Sequence, residues 1–286
     1  MVEFETQAQQ YAEAIEQELK SGRLNFPTVF DLSLRIKRLA DDPNATLDQI
    51  ARVVQTEPLL SAKLVRLANS AALNPAGKAI SNVVDAVRRI GLATLRCMAF
   101  AISAEQLAHD LRSKTMRLTA AGLWMNSVDV ACWSYALAKK LRVVPPDTAL
   151  FSGMMVNIGQ FFLLARAAEY PELEADAERF AEFVALWNEP VSRALLEAME
   201  MPPAILDALD YDDPYGGSWP PKQLADVLFV AGLAAEAPNP FSALRRQDRA
   251  NLLACATLGI EPDALKELLE SAADERKAML SALYGP

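Results

Sequence analysis

Apolar residues in this chain recur at intervals of three and four positions, and no segment alternates apolar and polar residues with period two. The first pattern places an apolar stripe along one face of an α-helix, whereas a half-buried strand needs the second. Alanine and leucine supply most of the apolar residues, and both favour helix. No period of 20 to 50 residues recurs, so a repeat array is not indicated. The sequence therefore predicts an all-α protein.

The predicted helices fall into four parts. An amphipathic helix at 1–23 ends near a glycine and is followed by a front helical lobe at 24–120. A rear helical lobe at 121–236 and a C-terminal helical extension at 237–286 complete the chain. We expect the two lobes to pack together.

Helix boundaries are predicted from capping and breaking residues. Thr46 and Gln49 form a capping box, and Pro58 suits the first turn of the next helix. Ser81 is predicted to cap a helix that Gly91 ends. Later helices are predicted at 123–141, at 147–167, and at 174–199 with an interruption near Pro190.

The net charge of −9 is unevenly divided. Residues 24–120 carry 13 Lys and Arg against 8 Asp and Glu, whereas residues 121–286 carry 13 against 24. Opposite charges favour docking between the two parts, or an anionic partner for the front lobe. Drift in the composition of solvated helix faces explains the numbers equally well. The candidate interaction surface comprises Arg88, Arg89, Arg96, Arg112, Lys114 and Arg117.

Several kinds of chemistry are disfavoured. The one histidine, His109, cannot supply a multi-histidine metal site, and no phosphate-binding glycine motif is present. Three cysteines, Cys97, Cys132 and Cys255, lie in apolar stretches and indicate buried thiols of a reduced, cytoplasmic protein. The acidic start is not typical of a signal peptide, and no run of about 18 apolar residues predicts a membrane span.

The order of these segments resembles the HDOD domain, a bacterial signalling module related to HD-type metal-dependent phosphohydrolases. The resemblance rests on Glu57–Pro58 opening a helix that ends in the string Arg66-Leu67-Ala68-Asn69-Ser70-Ala71, and on the later string Ala86 to Gly91. It extends over about residues 24–236 and implies partners in two-component or cyclic-dinucleotide signalling. Within it, Asn69 and Ser70 are expected to close the helix through side-chain hydrogen bonds.

The resemblance also implies that the metal ligands of a catalytic HD site are missing. The corresponding positions are Asn126, Val156, Asn157, Asn188, Asp212, Asp213 and Gly232. Valine cannot bind a metal, and the asparagines offer only neutral oxygens, so water activation by a bound metal is not expected. Asp212 and Asp213 could contribute to a Mg²⁺ or Ca²⁺ site, although acidic residues in such a turn are more often solvated. We therefore expect no cofactor and no enzymatic activity, but a signalling adaptor that binds other proteins.

Two alternatives stay open. The former HD pocket could receive a nucleotide or small anion, with Asn126, Asn157, Arg193 and Lys222 as contacts. Residues 47–70 could also form a helix-turn-helix that binds DNA, but the second helix carries few polar residues that could read bases. Trp219, in a Pro/Gly-rich loop, is either a lid that packs on the body or an anchor for a partner.

Overall fold

The all-α prediction is confirmed. A computed structural model describes residues 2–24, 31–70, 73–74, 77–209, 219–245 and 262–284, and these residues contain helices and no strand. The helices are α1 (Val2–Ser21), α2 (Asp31–Asp41), α3 (Leu47–Gln55), α4 (Pro58–Ala68), α5 (Val83–Asp110), α6 (Lys114–Leu141), α7 (Pro146–Met155), α8 (Ile158–Ala167), α9 (Pro171–Ala175), α10 (Ala177–Ala198), α11 (Pro203–Ala208), α12 (Leu224–Ala234), α13 (Pro240–Leu244) and α14 (Pro262–Tyr284).

Helices α5 and α6 form the centre of the molecule. The front-lobe helices α2, α3 and α4 pack on α5, whereas α7, α12 and α14 pack on α6. From Asn126 to Ala138 every residue of α6 is buried, because neighbouring helices surround it. One hydrophobic core continues from the front lobe through α6 into the rear lobe.

The start of α5 corrects one predicted cap. Asn82, not Ser81, is the N-cap: its side-chain oxygen accepts a hydrogen bond from the backbone N–H of Asp85 at 2.8 Å. Asn82 also donates to the carboxylate of Asp85, which adds a contact that Ser81 could not make in the same register. Gly91 has a φ of 77° and produces a kink, after which α5 resumes.

The predicted helix at 147–167 is divided into α7 and α8. By length and composition, residues 146–167 could cross a membrane, because an 18-residue window within them has a mean hydropathy of 1.5; 78% of that window is buried inside the protein. The expected interruption of α10 at Pro190 is wrong, because the helix continues from Ala177 to Ala198. Proline has no backbone N–H, so the carbonyl of Leu186, four residues before Pro190, loses its helical hydrogen bond. Both residues are exposed, so water can bind that carbonyl instead.

The N-terminal helix packs on the rear lobe. Tyr11 is fully buried, stacks on Tyr170 with ring centroids 4.7 Å apart, and donates its hydroxyl hydrogen to the backbone carbonyl of Leu163 at 3.1 Å. Arg166 donates to the carboxylate of Glu18 at 2.6 Å in the same contact. The segment at 1–23 is thus part of the folded body.

Candidate functional site

The positions at which the family resemblance implies metal ligands hold a chain of side-chain amides. Asn157, between α7 and α8, donates to the side-chain oxygen of Asn126 at 2.9 Å and to the hydroxyl of Ser127 at 2.8 Å. Asn239, before α13, donates to the side-chain oxygens of Asn157 at 3.1 Å and Gln160 at 2.8 Å. We call Asn126, Asn157, Gln160 and Asn239 the amide cluster.

Backbone groups fix the direction of this cluster at both ends. Asn126 donates to the backbone carbonyl of Ala237 at 2.7 Å, and a carbonyl can only accept. At the other end the side-chain oxygen of Asn239 accepts from the N–H groups of Phe241 at 3.0 Å and Ser242 at 3.3 Å. The amide orientations of Asn126 and Asn239 therefore follow from hydrogen-bond chemistry, and that of Asn157 follows from theirs.

The loop between α12 and α13 closes over the cluster, and Asp129 holds it there. One carboxylate oxygen of Asp129 accepts the backbone N–H groups of Glu236 at 2.6 Å and Ala237 at 3.1 Å. Its other oxygen accepts from Arg276 on α14. Burial alone would lower the pKa of the Arg276 guanidinium, but the hydrogen bonds and charges of Asp129 and Glu236 together outweigh burial and raise that pKa. Arg276 is therefore held as a cation beside Asp129.

Asn188 lies at the edge of this region and outside the cluster. Its side-chain oxygen accepts from Ser192 one turn later on α10 at 3.3 Å. Gly159 is required here, because a Cβ at that position would lie 2.2 Å from the Ser192 hydroxyl and 2.7 Å from the Asn188 carbonyl oxygen. The close contact between α8 and α10 thus depends on glycine.

Two other former ligand positions among the described residues, Val156 and Gly232, carry no acid. Val156 is half-buried at the end of α7, and Gly232 is exposed on α12. Asp212 and Asp213 lie outside the described residues. Among the described residues, no three His, Cys, Asp or Glu side chains form a group that could hold a metal ion.

The described residues at these positions do not fit the metal that a catalytic HD site would hold. The amide oxygens of Asn126 and Asn157 already accept hydrogen bonds from Asn157 and Asn239. Their nitrogens are donors, which repel a cation. The two side chains are 8% and 3% exposed, so neither one lines an open pocket as it stands.

Asn69 joins two segments of the front lobe. Its amide donates to the carbonyls of Val65 at 2.9 Å and Ile80 at 2.7 Å, and its oxygen accepts from the Ile80 N–H at 2.8 Å. The expected side-chain bond of Ser70 is wrong, because the Ser70 hydroxyl oxygen is buried with no hydrogen-bond partner in the structure. Ser70 acts through its backbone instead, with its carbonyl accepting from Leu73 and Asn74.

Most of the predicted basic surface is engaged locally. Arg88 pairs with Asp85 at 2.6 Å, Arg96 pairs with Asp41 and Arg89 donates to Asn74. Arg117 donates to the backbone carbonyls of Leu111 and Arg112. None of these contacts reaches residues 121–236, and the role of this surface in binding a partner stays a prediction. The side chains of Arg112 and Lys114 are exposed.

The other candidate residues have varied surroundings. Trp219 is half-buried against the hydrophobic core, as a lid would be. Arg66, in the predicted DNA-reading helix, donates to the backbone carbonyl of Leu283 in α14 at 3.3 Å. Arg193 pairs with Glu197 at 3.1 Å, and Lys222 is exposed before α12.

Four important residues were not predicted from the sequence. They are Ser127, Asp129, Gln160 and Asn239, which bond to the amide cluster or to the loop that closes over it across separations of 30 to 108 residues. Only Asn239 carries a local signal, because an Asn followed by Pro240 is typical of a helix N-cap and first turn.

In the described part of this all-helical fold, the neutral residues Asn126, Val156, Asn157 and Asn188 hold positions where the family resemblance implies metal ligands. The HDOD domain family matches residues 26–214. The chain therefore belongs to the HDOD family. No protein of curated function matches the sequence.

Solved structures of bacterial proteins share the fold. A candidate metal-dependent phosphohydrolase from Shewanella amazonensis SB2B aligns with a TM-score of 0.66 and 23% identity over 97% of this chain and 99% of its own. An HDOD domain protein of unknown function from Geobacter sulfurreducens aligns with a TM-score of 0.54 and 22% identity, over 98% of each chain. A candidate signal transduction protein from Marinobacter aquaeolei VT8 aligns with a TM-score of 0.52 and 20% identity, over 94% of this chain and 61% of its own. At these identities the likeness concerns the fold.

Proposed function

We propose that this protein is a non-catalytic HDOD adaptor, which acts in bacterial signal transduction by binding other proteins. Membership of the HDOD family supports the signalling role. The non-catalytic assignment rests on the hydrogen bond between Asn157 and Asn126. These two neutral amides bind each other at positions where a metal-dependent catalyst would need carboxylate or imidazole groups free to bind a metal. We place the protein in the cytoplasm, with partners in two-component or cyclic-dinucleotide pathways.

Burial of the amide cluster argues for adaptor function over a small-molecule receptor. A ligand-binding pocket is normally preformed and concave. Here Asn126 and Asn157 would have to give up bonds to Ala237, Ser127 and each other before they could contact a nucleotide. DNA binding is also disfavoured, since Arg66 on the predicted reading helix is directed to α14.

Two measurements test the proposal. Elemental analysis of the purified full chain should find no stoichiometric transition metal, and assays with phosphomonoester and phosphodiester substrates in added Mn²⁺ should give no turnover above a heat-denatured sample. Cross-linked capture from native lysate, with quantitative mass spectrometry, should enrich signalling proteins. About one metal per chain, with activity that disappears in a variant carrying Asp212→Ala and Asp213→Ala, would overturn the non-catalytic assignment. Enrichment of no protein over an unrelated bait would overturn the adaptor role.

A further inference from the structure

An apolar groove runs along the exposed side of the first half of α6. One wall is a stripe of α6, and the other is the segment that closes the amide cluster and continues into α13. The groove has a volume of about 520 Å³. Among the residues that line the groove are Thr115, Leu118, Gly122, Met125, Pro240 and Leu244.

Two large apolar side chains in this groove face solvent. Leu118 is 63% exposed and Met125 is 53% exposed, whereas most apolar residues of α6 are buried. They stand seven residues apart, so both lie on one face of the helix, two turns from each other. Gly122 lies between them and Thr115 lies one turn before Leu118, and these small residues leave the hollow open. An exposed apolar face with this shape is typical of an interaction site.

The form of the groove favours a helix as the occupant. Its α6 wall, from Thr115 to Met125, is about 15 Å long, which is the length of a helix of roughly ten residues. Extended peptides usually bind by adding to the edge of a sheet, and the described part of the chain has no strand that could accept one. A short amphipathic helix instead fills such a groove with apolar residues at positions i, i+3 or i+4, and i+7.

Charge gives the occupant a second property. Glu178 is the one ionisable residue among those that line the groove, it is exposed, and its carboxylate makes no ion pair with another described residue. A Lys or Arg beside the apolar face of the incoming helix would complement it. A second copy of this chain is a poor occupant. In a two-fold symmetric dimer the same surface of each copy faces its partner, so one hollow would face another and neither would be filled.

We propose that this groove binds the apolar face of a short amphipathic helix from a partner protein, with a Lys or Arg of that helix against Glu178. This inference rests on the proposed adaptor function and assigns it a docking surface. Ala237 lines the groove, and its backbone carbonyl accepts a hydrogen bond from Asn126. The amide cluster therefore helps to shape the surface that the partner contacts.

A display library tests the proposal. It presents 14-residue helical peptides with leucine fixed at positions i, i+3 and i+7 and all other positions randomised. Peptides that bind the full chain are selected, and those that also bind the Met125→Glu variant are removed. We expect enriched peptides to share a Lys or Arg at one fixed position. Fluorescence anisotropy of a resynthesised peptide should then show at least tenfold weaker binding to Leu118→Glu and to Met125→Glu.

The matched control is Leu186→Glu, because Leu186 is 72% exposed on α10 and does not line the groove. This variant should bind the resynthesised peptide with the same affinity as the wild type does, and circular dichroism should show that all variants are folded. Glu178→Lys should weaken the binding of a Lys-bearing peptide by about two- to fivefold, because an exposed ion pair usually contributes about that much to affinity.

Several results would overturn the inference. They are failure to enrich any peptide over the counter-selected background, binding that survives both glutamate substitutions, and enrichment without a basic position. Sedimentation that shows a dimer, converted to monomer by Leu118→Glu, would assign the groove to a second copy instead. If lysate partners are captured equally by Met125→Glu, the groove assignment fails while the adaptor function stands.

Discussion

Arg276 on α14 lies 2.7 Å from a carboxylate oxygen of Asp129 on α6, and this contact joins the C-terminal helix to the amide cluster. Asp129 follows Asn126 by three residues, about one helical turn, and its second oxygen holds the loop whose carbonyl Asn126 binds. Asp129 is 4% exposed and Arg276 14%, so water screens the pair weakly. The C-terminal helix, the loop before α13 and the cluster are thus one connected structure.

Replacing Arg276 should destabilise the protein strongly. Arg276→Met keeps most of the apolar stem but leaves the buried Asp129 carboxylate with only two backbone donors. Removing one partner of a buried ion pair typically costs about 3–5 kcal/mol. We expect a loss toward the lower end of that range, measured by urea unfolding monitored by circular dichroism.

Lys139→Met is the control for this substitution. Lys139 on α6 pairs with Glu275, the neighbour of Arg276 on α14, at 2.8 Å, but the two side chains are 43% and 41% exposed. Exposed pairs contribute at most about 1 kcal/mol. Equal losses in the two variants would contradict the assignment of Arg276 and Asp129 as the main polar anchor of α14.

Asn157→Leu tests the amide cluster. The substitution preserves approximate volume but leaves the Asn126 oxygen without its partner from Asn157. It also leaves one N–H of Asn239 unpaired, while the other N–H keeps its bond to Gln160. A buried polar group that loses its partner costs about 1–3 kcal/mol, so two such groups give an expected loss of about 2–4 kcal/mol.

The matched control is Asn188→Leu, at another former ligand position outside the cluster, where one bond of 3.3 Å to Ser192 is affected. We expect a loss of about 1 kcal/mol there, because one buried hydroxyl, that of Ser192, loses a single long hydrogen bond. Urea unfolding measures both variants. If Asn188→Leu costs as much as Asn157→Leu, the cluster has no special place in the stability of the protein.

Local features of the fold could be predicted from the sequence. The capping box of Thr46 and Gln49 is present, with both reciprocal hydrogen bonds, and Pro58 occupies the first turn of α4. Such signals act within one helical turn, so a single sequence contains them. The choice between Ser81 and Asn82 failed because both can cap, and the contact with Asp85 decides.

The site could be predicted only in part. The sequence shows amides where the family resemblance implies ligands, but not that they bind one another, because Asn126 and Asn157 are 31 residues apart and Asn157 and Asn239 are 82 apart. The break between α7 and α8 has the same cause: Asn157 turns toward α6, and Gly159 must approach α10. Tertiary contacts outweigh the helix preference of the apolar residues around them.

Asn69→Ala and Ser70→Ala should have opposite consequences. The first substitution removes two hydrogen bonds that join the end of α4 to Ile80 and one to the Val65 carbonyl within α4, and we expect a loss of about 1–2 kcal/mol. The second removes a buried hydroxyl that has no partner, so stability should stay unchanged or rise slightly. Urea midpoints measure both changes. A larger loss in Ser70→Ala than in Asn69→Ala would show that the hydroxyl makes a contact essential to the fold.

The Cys132 thiol should make stability depend on pH in the alkaline range. Burial raises the pKa of this thiol far above its ordinary value of 9.0, and the nearby Asp129 adds to the shift. Below that ordinary value both states hold the thiol proton, and the full stabilisation is present. As the pH rises past it, the unfolded chain releases the proton while the folded chain keeps it, so stability falls by up to about 1.4 kcal/mol per pH unit.

Cys132→Ala isolates this effect, because every other titrating group is shared by the two proteins. The difference in unfolding free energy between wild type and variant should be constant from pH 7 to 8. It should then shift against the wild type by about 1 kcal/mol between pH 9.5 and 10.5. Urea unfolding with reducing agent present, repeated across this range, measures it. A difference that does not change with pH would mean that the Cys132 thiol ionises as readily in the folded protein as in the unfolded chain.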